Sequence, residues 1–182
     1  MPNTFHFTED SYEQSIISLF EEMGYKYHYG PELEAETCRD LTDATIPGVL
    51  RKVMLDINGA GKAGAVDEAI RQIREQFSLP LVSANVVLTE WLQNGLDVTF
   101  KTDHGTLRSD HIKIIETDPN LIDKNSFVVA NQWTVVNGNS TKRADIVVFV
   151  NGLPISVVEL KSPSREVTNS EEAHQQLQNY MR

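Results

Sequence analysis

The sequence predicts an α/β domain with a central mixed β-sheet flanked by α-helices. Three observations carry this reading. Apolar residues recur at helical spacing through much of the chain up to Asn94. β-branched and aromatic runs separated by turn residues dominate from Leu96 onward. Among them, Asn151-Gly152 divides two apolar runs, Ile146–Val150 and Ile155–Val158, which marks a hairpin.

The elements follow in chain order. Thr8 caps a first helix whose opening turn carries Glu9 and Asp10. Tyr12, Ile16, Leu19, Phe20 and Met23 form its apolar stripe, Glu13 sits in line with Ile17 and Phe20 at the stripe's edge, and Gly24 stops the helix. Tyr25–Tyr29 alternates like a short strand. Residues 32–62 read as mixed, with a helix around Gly48–Ile57. Val66, Ile70, Ile73 and Phe77 share one face of the next helix. Ser83 caps another, with Val87, Leu88, Trp91 and Leu92 buried and Gly95 at its end. Strands are expected at Leu96–Thr102, Ile112–Glu116 and Phe127–Val136, with turns at His104-Gly105, Asp118-Pro119-Asn120 and Asn137-Gly138-Asn139. With the Asn151-Gly152 hairpin, the second half holds about five strands. Trp133 reads as core packing, and Asn169 with Glu172 as a capping box for a last helix that carries Gln176 and Tyr180 on one face.

The chemistry concentrates in residues 143–163. Asp145 opens one strand of the hairpin, and Glu159-Leu160-Lys161 closes the other. Residues i and i+2 of a strand point to the same face, so Glu159 and Lys161 can converge with the Leu160 carbonyl between them. Two carboxylates bind hard cations through oxygen, and a lysine beside them can position a water or offset charge on a phosphate. The pattern points to metal-dependent phosphodiester cleavage. Register matters here. A strict two-residue Asn151-Gly152 loop sets Asp145 opposite Val158, so the expectation is a three-residue loop (Asn151 to Leu153) or a bulge that restores the parity.

Composition sets bounds. The 182 residues are 40 % apolar and 23 % charged, ordinary for a globular domain with a core of its own. Cys38 is the single cysteine, so no internal disulfide forms, and a reducing cytoplasm fits. No apolar stretch is long enough to span a membrane. The net charge of −10 argues against a stand-alone nucleic-acid binder, although Lys142, Arg143, Lys161 and Arg165 put positive charge around the motif. Gly59-Ala60-Gly61-Lys62 imitates a phosphate loop, but Asp56 stands where the first glycine belongs and Ala63 where the hydroxyl residue belongs.

Together these residues resemble the PD-(D/E)xK nuclease superfamily, and closely the N-terminal nuclease domain of the restriction (R) subunit of type I restriction-modification enzymes. Asp145, Glu159 and Lys161 match the catalytic triplet, with Ala144 in place of the usual proline. Asn125-Ser126-Phe127 through Gln132, Arg143–Val147, Asn151-Gly152-Leu153-Pro154 and Glu159-Leu160-Lys161 follow the family's segment order. Gln176 to Tyr180 matches the QxxxY motif of nucleases that accompany helicases, and Glu13 matches the N-terminal helical glutamate.

The resemblance implies a restriction-endonuclease-like fold and a single endonuclease domain over residues 1–182, of which about 32–94 form a mainly helical part. It implies Mg²⁺ held by Asp145, Glu159 and the Leu160 carbonyl, with Lys161 and Glu13 catalytic and Gln176 and Tyr180 close to DNA or organising the site. The implied substrate is double-stranded DNA, and the implied partners are the specificity and modification (methyltransferase) subunits. ATP belongs only to motor domains in a longer parent chain. Two rival expectations are a non-catalytic docking domain that keeps the nuclease fold, and a stand-alone nuclease of the same superfamily.

Overall fold

A computed structural model of the chain describes residues 9–160 and Gln178. In order, these form α1 (Glu9–Glu22), β1 (Lys26–Tyr29), α2 (Gly30–Thr37), α3 (Pro47–Asn58), α4 (Ala63–Gln76), α5 (Leu81–Asn94), β2 (Leu96–Lys101), β3 (Leu107–Ile112), β4 (Phe127–Asn137), β5 (Ser140–Val150) and β6 (Leu153–Val158). The predicted α/β class holds. The chain divides into two compact units: one takes the described residues through Thr42, Phe127–Phe149 and those from Pro154 on, and the other takes Asp43–Ser126 and Val150–Leu153.

The first unit is built on a four-stranded sheet in the order β1-β4-β5-β6. β1 runs parallel to β4, in register from Lys26 against Val128 to Tyr29 against Asn131. Two-residue turns, Gly138-Asn139 and Asn151-Gly152, join β4 to β5 and β5 to β6. Turns that short force antiparallel neighbours, so the sheet is mixed, as expected. Ile17 on α1 packs with Val129, Ile146 and Leu160, and Ile16, Phe20, Tyr25, Tyr27 and Val158 pack around them. The buried face of α1 is therefore the one in line with Glu13. Tyr12, Leu19 and Met23, expected in the stripe, are exposed. Trp133 is core, as expected, edge-to-face on Phe149 with the Arg39 guanidinium 4.1 Å from its ring centre.

The second unit packs α3, α4 and α5 with a separate antiparallel pair, β2 and β3. Leu50, Met54, Val66, Ile70, Ile73, Leu96, Val98 and Ile112 lie in its core. Three expectations change here. The strand placed at Ile112–Glu116 lies instead at Leu107–Ile112, because the bend at Gly105 closes with Thr102 N–H on the Thr106 carbonyl, and antiparallel pairing then starts at Leu107. Phe77 falls just past α4 and is exposed. Pro80 precedes the first turn of α5, so Ser83 sits inside the helix rather than at its cap. Gly59–Lys62 lies between α3 and α4, with no strand before it, and the Lys62 ammonium pairs with Asp110 at 3.2 Å. No helix among the described residues is long and apolar enough to cross a membrane.

Candidate active site

Asp145 lies half-buried on β5. Asn151 has φ 54 and Gly152 φ 82, the paired left-handed conformations of a two-residue hairpin turn. The three-residue loop expected from the chemistry is thus not formed. Asparagine and glycine are the two residue types that adopt this backbone most readily, and the buried Asn151 side chain is bonded into its surroundings, so the short turn is favoured. The irregularity sits at the other end of the hairpin. β6 stops at Val158, the residue a strict two-residue turn would set against Asp145. Glu159 and Leu160 leave the strand, and the Leu160 N–H donates to Asp145 Oδ2 at 2.7 Å. One 2.7 Å bond therefore ties the aspartate to the backbone of the Glu159-Leu160 segment. Glu159 is half-buried, and the Leu160 side chain is buried in the cluster around Ile17. Lys161, Gln176 and Tyr180 lie outside the described residues; Gln178, between the last two, is helical and exposed.

Glu13 is held from the sheet. Its carboxylate accepts from Asn131 Nδ2 at 2.6 Å and from Gln132 Nε2 at 3.1 Å. The Tyr27 hydroxyl donates to Asn131 Oδ1 at 3.1 Å. Burial first, then the Glu13 carboxylate, raises Tyr27 above the ordinary phenol range, so its hydroxyl keeps its proton and remains a donor. The sequence reading missed Tyr27 and Asn131 and gave Gln132 no role. A usable signal existed: two consecutive amides interrupt an otherwise apolar strand, where an unsatisfied amide is costly. Among the described residues no three His, Cys, Asp or Glu side chains are grouped to hold one metal ion. Glu13, Asp145 and Glu159 thus do not form a three-carboxylate cage. What stands together is Asp145 and the Glu159-Leu160 backbone.

The family model for the N terminus of the type I restriction enzyme R protein matches residues 6–182. The chain belongs to this R protein N-terminal family. Among its relatives is the type I restriction enzyme HindI endonuclease subunit of Haemophilus influenzae, 29 % identical over 177 residues, which are 94 % of this chain and 16 % of that protein. Another is the putative type I restriction enzyme MjaIXP endonuclease subunit of Methanocaldococcus jannaschii, 29 % identical over 161 residues, 86 % of this chain and 15 % of the relative. This R protein N-terminal chain therefore spans about a sixth of the curated relatives it matches.

Proposed function

We propose that this chain is the metal-dependent endonuclease domain of a type I restriction R subunit, with both compact units forming one domain, and that it hydrolyses phosphodiester bonds of double-stranded DNA in the cytoplasm. Sequence choice falls to the specificity and modification subunits, and ATP-driven translocation to motor domains elsewhere in the parent chain. The observation that carries this is the bond from the Leu160 N–H to Asp145 Oδ2, which holds the β5 aspartate against the Glu-x-Lys run. Family membership supports it independently.

The donor set suits Mg²⁺. Asp145, Glu159 and the Leu160 carbonyl offer hard oxygens. Mg²⁺ is usually held by one or two carboxylates together with water and substrate phosphate, so a three-acid cage is not required. The chemistry supplied by bound Mg²⁺ is polarisation of the scissile phosphate and acidification of an attacking water. The protein's own groups do the rest. Asp145 is oriented by the Leu160 N–H, which fixes the aspartate relative to the backbone at Leu160. The Lys161 ammonium would orient the water or stabilise charge on the phosphate. Glu13 contributes a carboxylate fixed by two amides. Gln176 and Tyr180 would position the DNA backbone or support the triplet.

The test uses the full-length R subunit assembled with its partner subunits. Asp145→Ala, Glu159→Ala and Lys161→Ala should each lower DNA cleavage about 10²-fold or more, while ATP hydrolysis and translocation continue. Cleavage that survives all three substitutions would sink the endonuclease reading and leave a docking role.

A further inference from the structure

Two neighbouring amides on β4 reach a single carboxylate on α1. Consecutive side chains on a regular strand face opposite ways. Gln132, however, has φ 53, which takes the chain out of strand geometry and lets Asn131 and Gln132 serve one group. A left-handed backbone is uncommon for a residue with a Cβ, and such strain persists where the surroundings demand it. Asn131 is 5 % exposed, so both ends of its amide need partners. The Tyr27 hydroxyl takes the oxygen end, which leaves the NH₂ end for Glu13. Gly30 gives the strand its room: a Cβ there would lie 2.3 Å from the Asn131 carbonyl oxygen.

Anchoring α1 does not require this arrangement. Ile17, one helical turn beyond Glu13, already packs against Ile146 and Leu160, the neighbours of Asp145 and Glu159. A second apolar contact would hold the helix without burying polar groups. The amides instead fix a carboxylate beside the strand that pairs with β5, and Gln132 and Asp145 lie equally far from the Gly138-Asn139 turn.

We propose that Asn131 and Gln132, with Tyr27 behind Asn131, are positioning residues for DNA cleavage: they hold the Glu13 carboxylate in the orientation the reaction uses. This rests on the endonuclease reading above. The test compares Gln132→Gly and Tyr27→Phe in the full-length R subunit assembled with its partners. Glycine accepts the left-handed backbone, so Gln132→Gly should not lower the melting midpoint, whereas Tyr27→Phe keeps the ring but leaves Asn131 Oδ1 without its donor and should lower the midpoint modestly. Each should lower the single-turnover cleavage rate about 10- to 10²-fold, with the DNA concentration for half-saturation and the ATP hydrolysis rate unchanged. Glu13→Ala alone should lower cleavage, and adding Gln132→Gly to it should cost nothing further, because the glutamine acts through Glu13. Three outcomes each overturn the proposal: cleavage within twofold of the parent in Gln132→Gly, loss in Gln132→Gly that tracks a fall in its melting midpoint, or full cleavage by Glu13→Ala. Asp145→Ala run alongside keeps the two readings apart. If it abolishes cleavage while Gln132→Gly does not lower it, only the positioning role fails.

Discussion

Asn151 does more than make a turn. Its Nδ2 donates to the Ile114 carbonyl at 2.8 Å and to Asn125 Oδ1 at 2.9 Å, and its Oδ1 accepts from the Ser126 N–H at 2.7 Å. Asn125 in turn accepts from the Glu116 N–H and donates to the Glu116 carbonyl. Glu116 closes the knot: bonds from the Asp118 N–H and the Lys113 ammonium lower its carboxyl below the ordinary glutamate range. Asn151 is fully buried at φ 54. Asn151→Ala would strand several buried polar groups and put a Cβ in a left-handed backbone without the asparagine's compensating bonds. The cost should be about 2–4 kcal/mol, read from urea unfolding of the chain. A loss under about 1 kcal/mol would mean that water replaces the amide, and that the knot is not what holds this turn short.

At the scale of elements, α2 meets β4 through an absent side chain. Gly30 is the first residue of α2, and a Cβ there would sit 2.3 Å from the Asn131 oxygen and 3.2 Å from the Gln132 carbonyl carbon. Gly30→Ala should therefore destabilise by about 1–3 kcal/mol, as overpacking does. Gly48→Ala on α3, where nothing lies within 4 Å of the added Cβ, should leave the melting temperature unchanged or raise it. Equal effects from both would mean that α2 shifts freely on the strand. The sequence made the long periodic elements legible: α1, α3 and α4 announce themselves by apolar spacing, and the Asn151-Gly152 hairpin by its dipeptide. α2 did not, because Glu32, Glu34 and Glu36 leave it little apolar pattern and tertiary contacts hold it. The orientation of α1 was misjudged because several apolar stripes fit its spacing, and only contacts with Val129, Ile146 and Leu160 choose Ile17. Asp145 and the Glu159-Leu160-Lys161 run were legible as candidates, but the bond from the Leu160 N–H to Asp145 was not. Turn chemistry set the loop length, and the bond from the Leu160 N–H to the Asp145 side chain just past the end of β6 at Val158 is one that no residue pattern encodes.

For the whole chain, charge decides how the proposed reaction must be organised. The net charge is −10, and phosphate affinity comes from lysines and arginines free to release counterions. Several cations of the second unit are already committed to acids. Arg51 pairs with Asp67 at 2.7 Å, Arg74 with Asp43 at 2.7 Å, and Arg71 with Glu68 at 2.6 Å and with Glu75. The Arg71 guanidinium holds the Glu68 carboxyl down at about 2, so that acid stays ionised wherever the protein is folded and cancels the arginine. On the endonuclease reading proposed above, a chain this acidic needs another part of the proposed complex to deliver the duplex to it. The isolated 182-residue chain should therefore bind a short duplex no tighter than about 10⁻⁶ M at physiological salt by fluorescence anisotropy, with what binding there is vanishing as salt rises. The assembled complex should bind far more tightly under the same conditions. Nanomolar binding by the chain alone, surviving a rise to several hundred millimolar salt, would mean that the positive groups around Asp145 form a DNA surface of their own and that delivery by partners is unnecessary.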